Sequence, residues 1–165
     1  MPDTAPMTIR PACFPGDLGA VRGLFTAYAQ GLGIDLGFQD FAAELAALPG
    51  KYAPPGGAVL LAESGAPPQA IGCIALRPLP LPDGPATCEM KRLYLGPAAR
   101  GRGLGRALVE RLVAEARGLG YRRMVLDTLS TMTPALALYR AQGFTEIPAY
   151  YHNPLAGVVY LGRDL

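Results

Sequence analysis

The sequence contains no tryptophan, one histidine and three cysteines among 165 residues, and each scarcity excludes a kind of site. Because His152 stands alone, neither a histidine-based metal site nor a Ser-His-Asp triad backed by a second histidine fits. Cys13, Cys73 and Cys88 are too widely spaced for a metal motif, and their odd number argues against a disulfide framework. We therefore expect no bound metal.

Charge is scarce as well, since charged residues make up 17% of the chain and the formal net charge is +2. This excess is too small to indicate a nucleic-acid-binding protein from charge alone. No apolar run approaches the ~20 residues that a membrane span requires. The first eight residues, MPDTAPMT, lack the basic and apolar regions of a signal peptide. We expect a soluble, cytoplasmic protein with no nucleic-acid or membrane partner.

Apolar residues are abundant, at 50% of the chain, which is enough to form the core of one domain. We expect a single domain over residues 1–165, with residues 1–6 disordered. Apolar periodicity predicts four helices: one capped by Asp17, one capped by Asp40, one that begins at Leu104 and one that begins at Ala135. Strands are predicted over 8–11, 58–62, 70–79, 86–95, 124–128, 145–147 and 158–162. This order favours an α/β protein with a mixed sheet and helices on its faces.

Two parts of this pattern leave alternatives open. The segment Ile34–Phe38 is a loop with apolar side chains, which either pack on the core or cover a substrate as a lid. The final strand is expected to be exposed at an edge of the sheet, where it can pair with a second copy. A homodimer is therefore one arrangement that the pattern allows.

The stretch from Met90 to Leu112 dominates the middle of the chain, because a strand leads through a glycine-rich loop into an amphipathic helix. The loop, Arg100–Gly105, alternates glycine with arginine and leucine, so it exposes backbone N–H groups beside guanidinium groups. Such a loop at a helix N-terminus suits a phosphorylated ligand. It is neither a Walker A loop nor a dinucleotide fingerprint, since Arg106 occupies the position that the third glycine of the fingerprint requires.

Two motifs resemble the GNAT N-acetyltransferases. Arg100-x-x-Gly103-x-Gly105 resembles the acyl-CoA-binding loop of that family, and Tyr139-x-x-x-Gly143-Phe144 resembles a second conserved block about thirty residues later. The resemblance implies a GNAT-like mixed, mostly antiparallel sheet of six to seven strands with helices on both faces. It also implies direct transfer of an acetyl group, in a ternary complex, from acetyl-CoA to a primary amine of a small molecule or amino acid.

The resemblance further implies which residues hold coenzyme A. Backbone N–H groups of the loop would bind the pyrophosphate, and its arginines would contact phosphate, including the 3′-phosphate. These loop residues are Arg100, Gly101, Arg102, Gly103, Leu104, Gly105 and Arg106. The strand residues Leu93, Tyr94 and Leu95 would pair with pantetheine as another strand would. Thr133 stands nearest to the position where many relatives have an asparagine that contacts the coenzyme.

Two residues are the catalytic candidates that the resemblance implies. Tyr139 matches the tyrosine that protonates the departing thiolate, although a half-buried tyrosine with a satisfied hydroxyl is the alternative. Glu89 lies where relatives often carry a glutamate that deprotonates the amine through water. The alternative for Glu89 is a salt bridge with Lys91 or Arg92.

The acceptor side is the less specific part of the pattern. Residues suited to lining an acceptor pocket are Tyr28, Arg92, Tyr150, Tyr151, His152 and Asn153, and Arg92 would suit a carboxylate-bearing amine. Two other functions stay open at this point: an acyl-CoA-binding sensor or accessory domain without turnover, and acetylation of a protein N-terminus or lysine.

Overall fold

A computed structural model describes residues 5–33, 35–37 and 40–165. Disorder was predicted for residues 1–6, of which residues 1–4 lie outside the described part of the chain, as do Ile34 and Phe38 of the predicted loop. The helices are α1 (Leu18–Leu32), α2 (Phe41–Ala46), α3 (Leu104–Gly118) and α4 (Thr133–Ala141). The strands are β1 (Met7–Pro11), β2 (Ala58–Ser64), β3 (Gln69–Pro78), β4 (Thr87–Leu95), β5 (Arg123–Leu129), β6 (Thr145–Glu146) and β7 (Val158–Asp164).

The seven strands form one sheet in the order β1-β2-β3-β4-β5-β7-β6. Only the β4–β5 pair is parallel among the strand pairs of the described chain, and the others are antiparallel. Helices α3 and α4 pack on one face, where Leu108 and Leu112 meet Ile74 and Met124. Helix α1 packs on the other face through residues that include Val21. The predicted mixed, mostly antiparallel sheet with helices on both faces is confirmed.

The predicted capping roles of Asp17 and Asp40 are wrong, although the helices begin directly after them. Neither side chain hydrogen bonds a backbone N–H of its helix. The Asp17 carboxylate instead accepts hydrogen bonds from Arg10, at 2.7 Å, and from the Cys13 N–H, at 2.6 Å. The Arg10 guanidinium lowers the pKa of Asp17 to about 2. Because Arg10 lies in β1, its ion pair with Asp17 links the start of α1 to β1.

The final strand is not an edge strand. β7 lies between β5 and β6, and it pairs with β5 over its whole length. The two-residue strand β6 takes the outermost position but pairs only with Leu161 and Gly162, so pairing of β7 with a second copy stays a prediction. Among the described helices, none combines the length and apolar character needed to cross a membrane.

Candidate active site

A cleft opens where β4 and β5 separate. The two strands pair only between Thr87–Glu89 and Arg123–Val125. Beyond that point β5 continues along β7, and β4 continues along β3. Within the described strands, the pairing between β4 and β5 does not extend to residues 90–95 of β4. Backbone groups of this segment that face away from β3 can therefore pair with a ligand that lies along the strand.

A β-bulge bends β4 at this opening. Cys73 pairs with Tyr94 while Ala75 pairs with Lys91, so β4 carries one residue more than β3 in this interval. Arg92 occupies the bulge with a φ of 61°, in the left-handed region that non-glycine residues seldom adopt. Because a bulge bends its strand, this one lies where the path of β4 departs from that of β5.

The cleft draws residues from both faces of the sheet. Leu93, which was predicted to contact pantetheine, and Tyr28, which was predicted to line the acceptor pocket, are both in its wall. The wall comprises Tyr28, Leu32, Leu36, Met90, Lys91, Arg92, Leu93, Leu126, Asp127, Thr128, Leu129, Met132, Ala135, Tyr139, Asn153 and Leu155. Exposed His152 and exposed Thr133 are not part of it. The cleft thus connects the α3–α4 face, where the glycine-rich loop lies, with the α1–α2 face.

Tyr139 reaches the cleft from the last turn of α4. The helix ends in a Schellman motif, because the Phe144 N–H donates to the Tyr139 carbonyl and the Gly143 N–H donates to the Arg140 carbonyl, both at 3.0 Å. Gly143 supplies the required positive φ of 86°, and the Phe144 ring packs against the Tyr139 ring at 6.1 Å between centroids. This motif explains why tyrosine, glycine and phenylalanine occur at this spacing. Burial raises the pKa of Tyr139, so its phenol stays protonated.

The glycine-rich loop leaves the first turn of α3 open. Gly103 precedes the helix with a φ of 72°, and among the described residues no side chain caps the N–H groups of that turn. Those groups can therefore bind an anion. Gly105 has a different role, because a Cβ there would lie 3.4 Å from the Leu138 and Leu95 side chains. It allows α3 to approach both α4 and β4 closely.

The three loop arginines make contacts within the protein. Arg100 donates to the Leu95 carbonyl at 3.2 Å, and Arg102 donates to the Ala98 and Ala5 carbonyls at 3.4 and 3.1 Å. Arg106 forms an exposed ion pair with Glu110, one turn further along α3. Phosphate contacts by these arginines stay a prediction, and each guanidinium retains further N–H groups that can make them.

Glu89 forms a salt bridge, but not with either partner that the sequence suggested. Its side chain is 1% exposed, and Arg77 contacts its Oε1 at 2.9 Å. Oε2 accepts a hydrogen bond of 2.6 Å from the hydroxyl of Tyr150. Glu89 does not line the cleft wall. A role for it as a base stays a prediction that requires water to reach a carboxylate with both oxygens engaged.

Arg92 is also engaged, through a bidentate ion pair with Glu44 of α2. Its Nε and Nη2 lie 3.0 and 3.2 Å from the two carboxylate oxygens. Its guanidinium also lies over the rings of Tyr28 and Phe41, at 5.4 and 5.0 Å from their centroids. The predicted capture of a substrate carboxylate would therefore have to compete with Glu44.

Asp127 is the cleft residue that sequence reasoning missed. It lies on β5, and its Oδ2 accepts hydrogen bonds from the hydroxyl of Tyr151 and, at 2.9 Å, from the amide of Asn153. Tyr151, a predicted acceptor-side residue, thus meets Asp127. The available signal was a carboxylate directly after the apolar run Met124–Leu126 of a predicted buried strand. Such a residue is costly to bury unless it is hydrogen-bonded or functional.

Comparisons with known proteins agree with this architecture. The model of the acetyltransferase (GNAT) family matches residues 24–144. An uncharacterized N-acetyltransferase of Schizosaccharomyces pombe is 44% identical over 153 residues, which cover 92% of this chain and 90% of the relative. An acetyltransferase structure from Streptococcus agalactiae has a TM-score of 0.72 at 25% identity and covers 96% of this chain and 98% of its own. A Salmonella typhimurium structure with its cofactor acetyl-CoA shares the fold, with a TM-score of 0.69 at 24% identity and coverage of 97% and 94%.

The family match covers both sequence motifs and the two strands that form the cleft. The S. pombe relative extends the similarity over nearly the whole chain. This protein therefore belongs to the GNAT family of acetyltransferases and is an acyltransferase.

Proposed function

We propose that this acyltransferase moves an acetyl group from acetyl-CoA to the primary amine of a small molecule or amino acid, by direct transfer in a ternary complex. The observation that carries the proposal is the cleft between β4 and β5, whose wall includes Tyr139, together with the uncapped start of α3, where Gly105 lies against Leu95 at the end of β4. The start of α3 suits an anion, and the cleft offers a proton donor. The Salmonella structure that shares this fold holds acetyl-CoA.

On the coenzyme side, the N–H groups at the start of α3 bind the pyrophosphate. Each helix-dipole contribution is typically ~0.3–1 kcal/mol, so several amides and nearby arginines act together. Pantetheine then runs along residues 93–95 of β4, whose backbone edge faces the opening. An N–H of this strand polarises the thioester carbonyl and stabilises the oxyanion that forms there.

In the chemical step, the neutral amine attacks the thioester carbon, and the C–N bond forms as the carbonyl electron pair moves to oxygen. Collapse of this intermediate breaks the C–S bond, and the departing thiolate takes a proton from Tyr139. The phenolate regains a proton from the nitrogen of the new amide. One further proton leaves the ammonium before attack, and Glu89 is the residue proposed to accept it through water.

The first test is calorimetry with acetyl-CoA at low and high salt. We expect micromolar or tighter binding that weakens as salt rises, because phosphate contacts with arginines and helix N–H groups are screened. Absence of binding with micromolar protein and ligand would remove the proposal. Release of free thiol in the presence of a panel of amines then separates an enzyme from an acyl-CoA sensor without turnover.

Replacing Arg100 and Arg102 together by alanine should weaken acetyl-CoA binding by ~2–4 kcal/mol, because a charged hydrogen bond contributes roughly 1.5–3 kcal/mol. Arg117→Ala is the matched control, since this exposed arginine lies in the last turn of α3, away from the loop. Repeating the titration with 3′-dephospho-coenzyme A shows which phosphate the arginines contact. If the double substitution weakens binding of this ligand less than it weakens binding of acetyl-CoA, the arginines contact the 3′-phosphate. Equal affinities of double variant and control for acetyl-CoA would argue against both contacts.

A further inference from the structure

The cleft contains a carboxylate, Asp127, that is held by hydrogen bonds and has no part in the reaction proposed above. Asp127 Oδ2 accepts two hydrogen bonds, from Tyr151 and from Asn153. A carboxylate offers about four lone-pair sites, so acceptor capacity remains on Oδ1. Among the described residues, no hydrogen bond to Oδ1 is found. Asp127 and Asn153 both belong to the cleft wall that also holds the Tyr139 phenol.

The loop between β6 and β7 is built to hold these donors in place. The Tyr160 hydroxyl donates to the Tyr151 carbonyl at 2.8 Å and accepts from the Asn153 N–H at 3.2 Å. The rings of Tyr150, Tyr151 and Tyr160 pack together with centroid distances of 5.4 to 6.0 Å. The Tyr150 hydroxyl also binds Glu89, which anchors the loop to β4. Glu89 thus supports the loop that orients Asp127.

The other two carboxylates near the cleft, Glu44 and Glu89, have arginine partners, so Asp127 is the carboxylate suited to a bound cation. Glu44 balances Arg92, and Arg77 balances Glu89. Lys91 also lines the wall, where burial lowers the pKa of its amine and the charges of Glu89 and Asp127 act in the opposite direction. Burial is the main reason that the pKa of Tyr139 is raised, and the charges of Tyr28 and Asp127, which line the same cleft, add to it.

We propose that Asp127, oriented by Tyr151 and Asn153, binds the ammonium group of the acceptor and directs it toward the thioester. This inference rests on the proposed function and names the acceptor class: alkylamines, which are cationic at neutral pH, rather than aromatic amines, which are neutral there. The Asp127 carboxylate is a binding group that contacts the substrate. Tyr151 and Asn153 are positioning residues.

The test uses two coenzyme A derivatives, so that no acceptor has to be known. S-(2-aminoethyl)-coenzyme A places an ammonium beside the sulfur, and S-propyl-coenzyme A is its uncharged counterpart of similar shape. Calorimetry should show the amino derivative binding the unaltered protein about 10-fold or more tightly, because a hydrogen bond to a charged group is made only by that derivative. Asp127→Asn should abolish this preference and leave the affinity for S-propyl-coenzyme A unchanged.

Asp164→Asn is the matched control, since this exposed carboxylate lies at the end of β7 outside the cleft wall, and it should keep the full preference. Asn153→Ala removes one of the donors that orient Asp127, and it should reduce the preference for the amino derivative several-fold. This variant tests the assignment if Asp127→Asn does not fold. Equal binding of the two derivatives, or a preference that survives in Asp127→Asn, would overturn the assignment. Failure of both derivatives to bind the unaltered protein would instead contradict the proposed function.

Discussion

Replacement of Tyr139 by phenylalanine is expected to lower kcat by about 100-fold or more, because general acid catalysis typically contributes 10²–10⁴-fold. The substitution removes the hydroxyl and keeps the ring, which packs against Phe144 and lies within the core formed with α3. The dissociation constant of acetyl-CoA should therefore change little. Thiol release with the best amine of the panel, together with calorimetry, measures both quantities.

Tyr121→Phe is the matched control for this experiment. Its hydroxyl donates to the Gly56 carbonyl at 2.5 Å, and the residue is not part of the cleft wall. We expect kcat to be unchanged in this variant. If Tyr139→Phe also left kcat unchanged, the phenol would have no place in the mechanism.

Glu44→Ala is expected to lower the free energy of unfolding by about 3–5 kcal/mol, which is the typical cost of breaking a buried ion pair by removing one of its partners. The partner, Arg92, has a side chain that is 1% exposed, and Glu44 is 13% exposed. Glu44 also accepts a 2.8 Å hydrogen bond from Tyr52, so the substitution removes an acceptor that serves both Arg92 and Tyr52. Denaturant unfolding at neutral pH measures the difference.

Two companion variants separate burial from charge. Glu110→Ala removes the carboxylate of the exposed pair with Arg106, and it should leave the unfolding midpoint unchanged because water solvates the remaining charge. Replacing Glu44 by leucine and Arg92 by methionine together should recover most of the stability, because apolar residues of similar size can substitute for a buried ion pair. A loss in the double variant as large as in Glu44→Ala would mean that charge pairing is not the source of the effect.

Local pattern accounts for most of the fold prediction. The strand, glycine-rich loop and helix from Met90 to Leu112 follow from apolar periodicity and from glycine at the turn. The Tyr139, Gly143 and Phe144 spacing is likewise local, because a Schellman motif is formed by residues only a few positions apart. These local patterns can be recognised in the sequence without knowing which distant residues come into contact.

The wrong predictions of side-chain partners occur where a charged side chain has possible partners both nearby in the chain and on another strand. Asp17 precedes a helix and looks like a cap, yet Arg10 of β1 binds its carboxylate. The alternative to a catalytic role for Glu89 was a salt bridge with Lys91 or Arg92, its neighbours along β4, but its salt-bridge partner is Arg77 on the adjacent strand. The register between β3 and β4 sets that choice, since Arg77 and Glu89 are directly opposite each other.

The sequence by itself determined the family resemblance, the phosphate loop and the tyrosine block, because each depends on residues close together in the chain. Only the tertiary structure decided which partners the charged side chains have. The bulge at Arg92 turns its guanidinium to Glu44 across 48 residues, and the β6–β7 loop brings Tyr151 and Asn153 to Asp127. Buried charges need partners, and a partner can lie on any strand or helix that the fold brings within hydrogen-bonding distance.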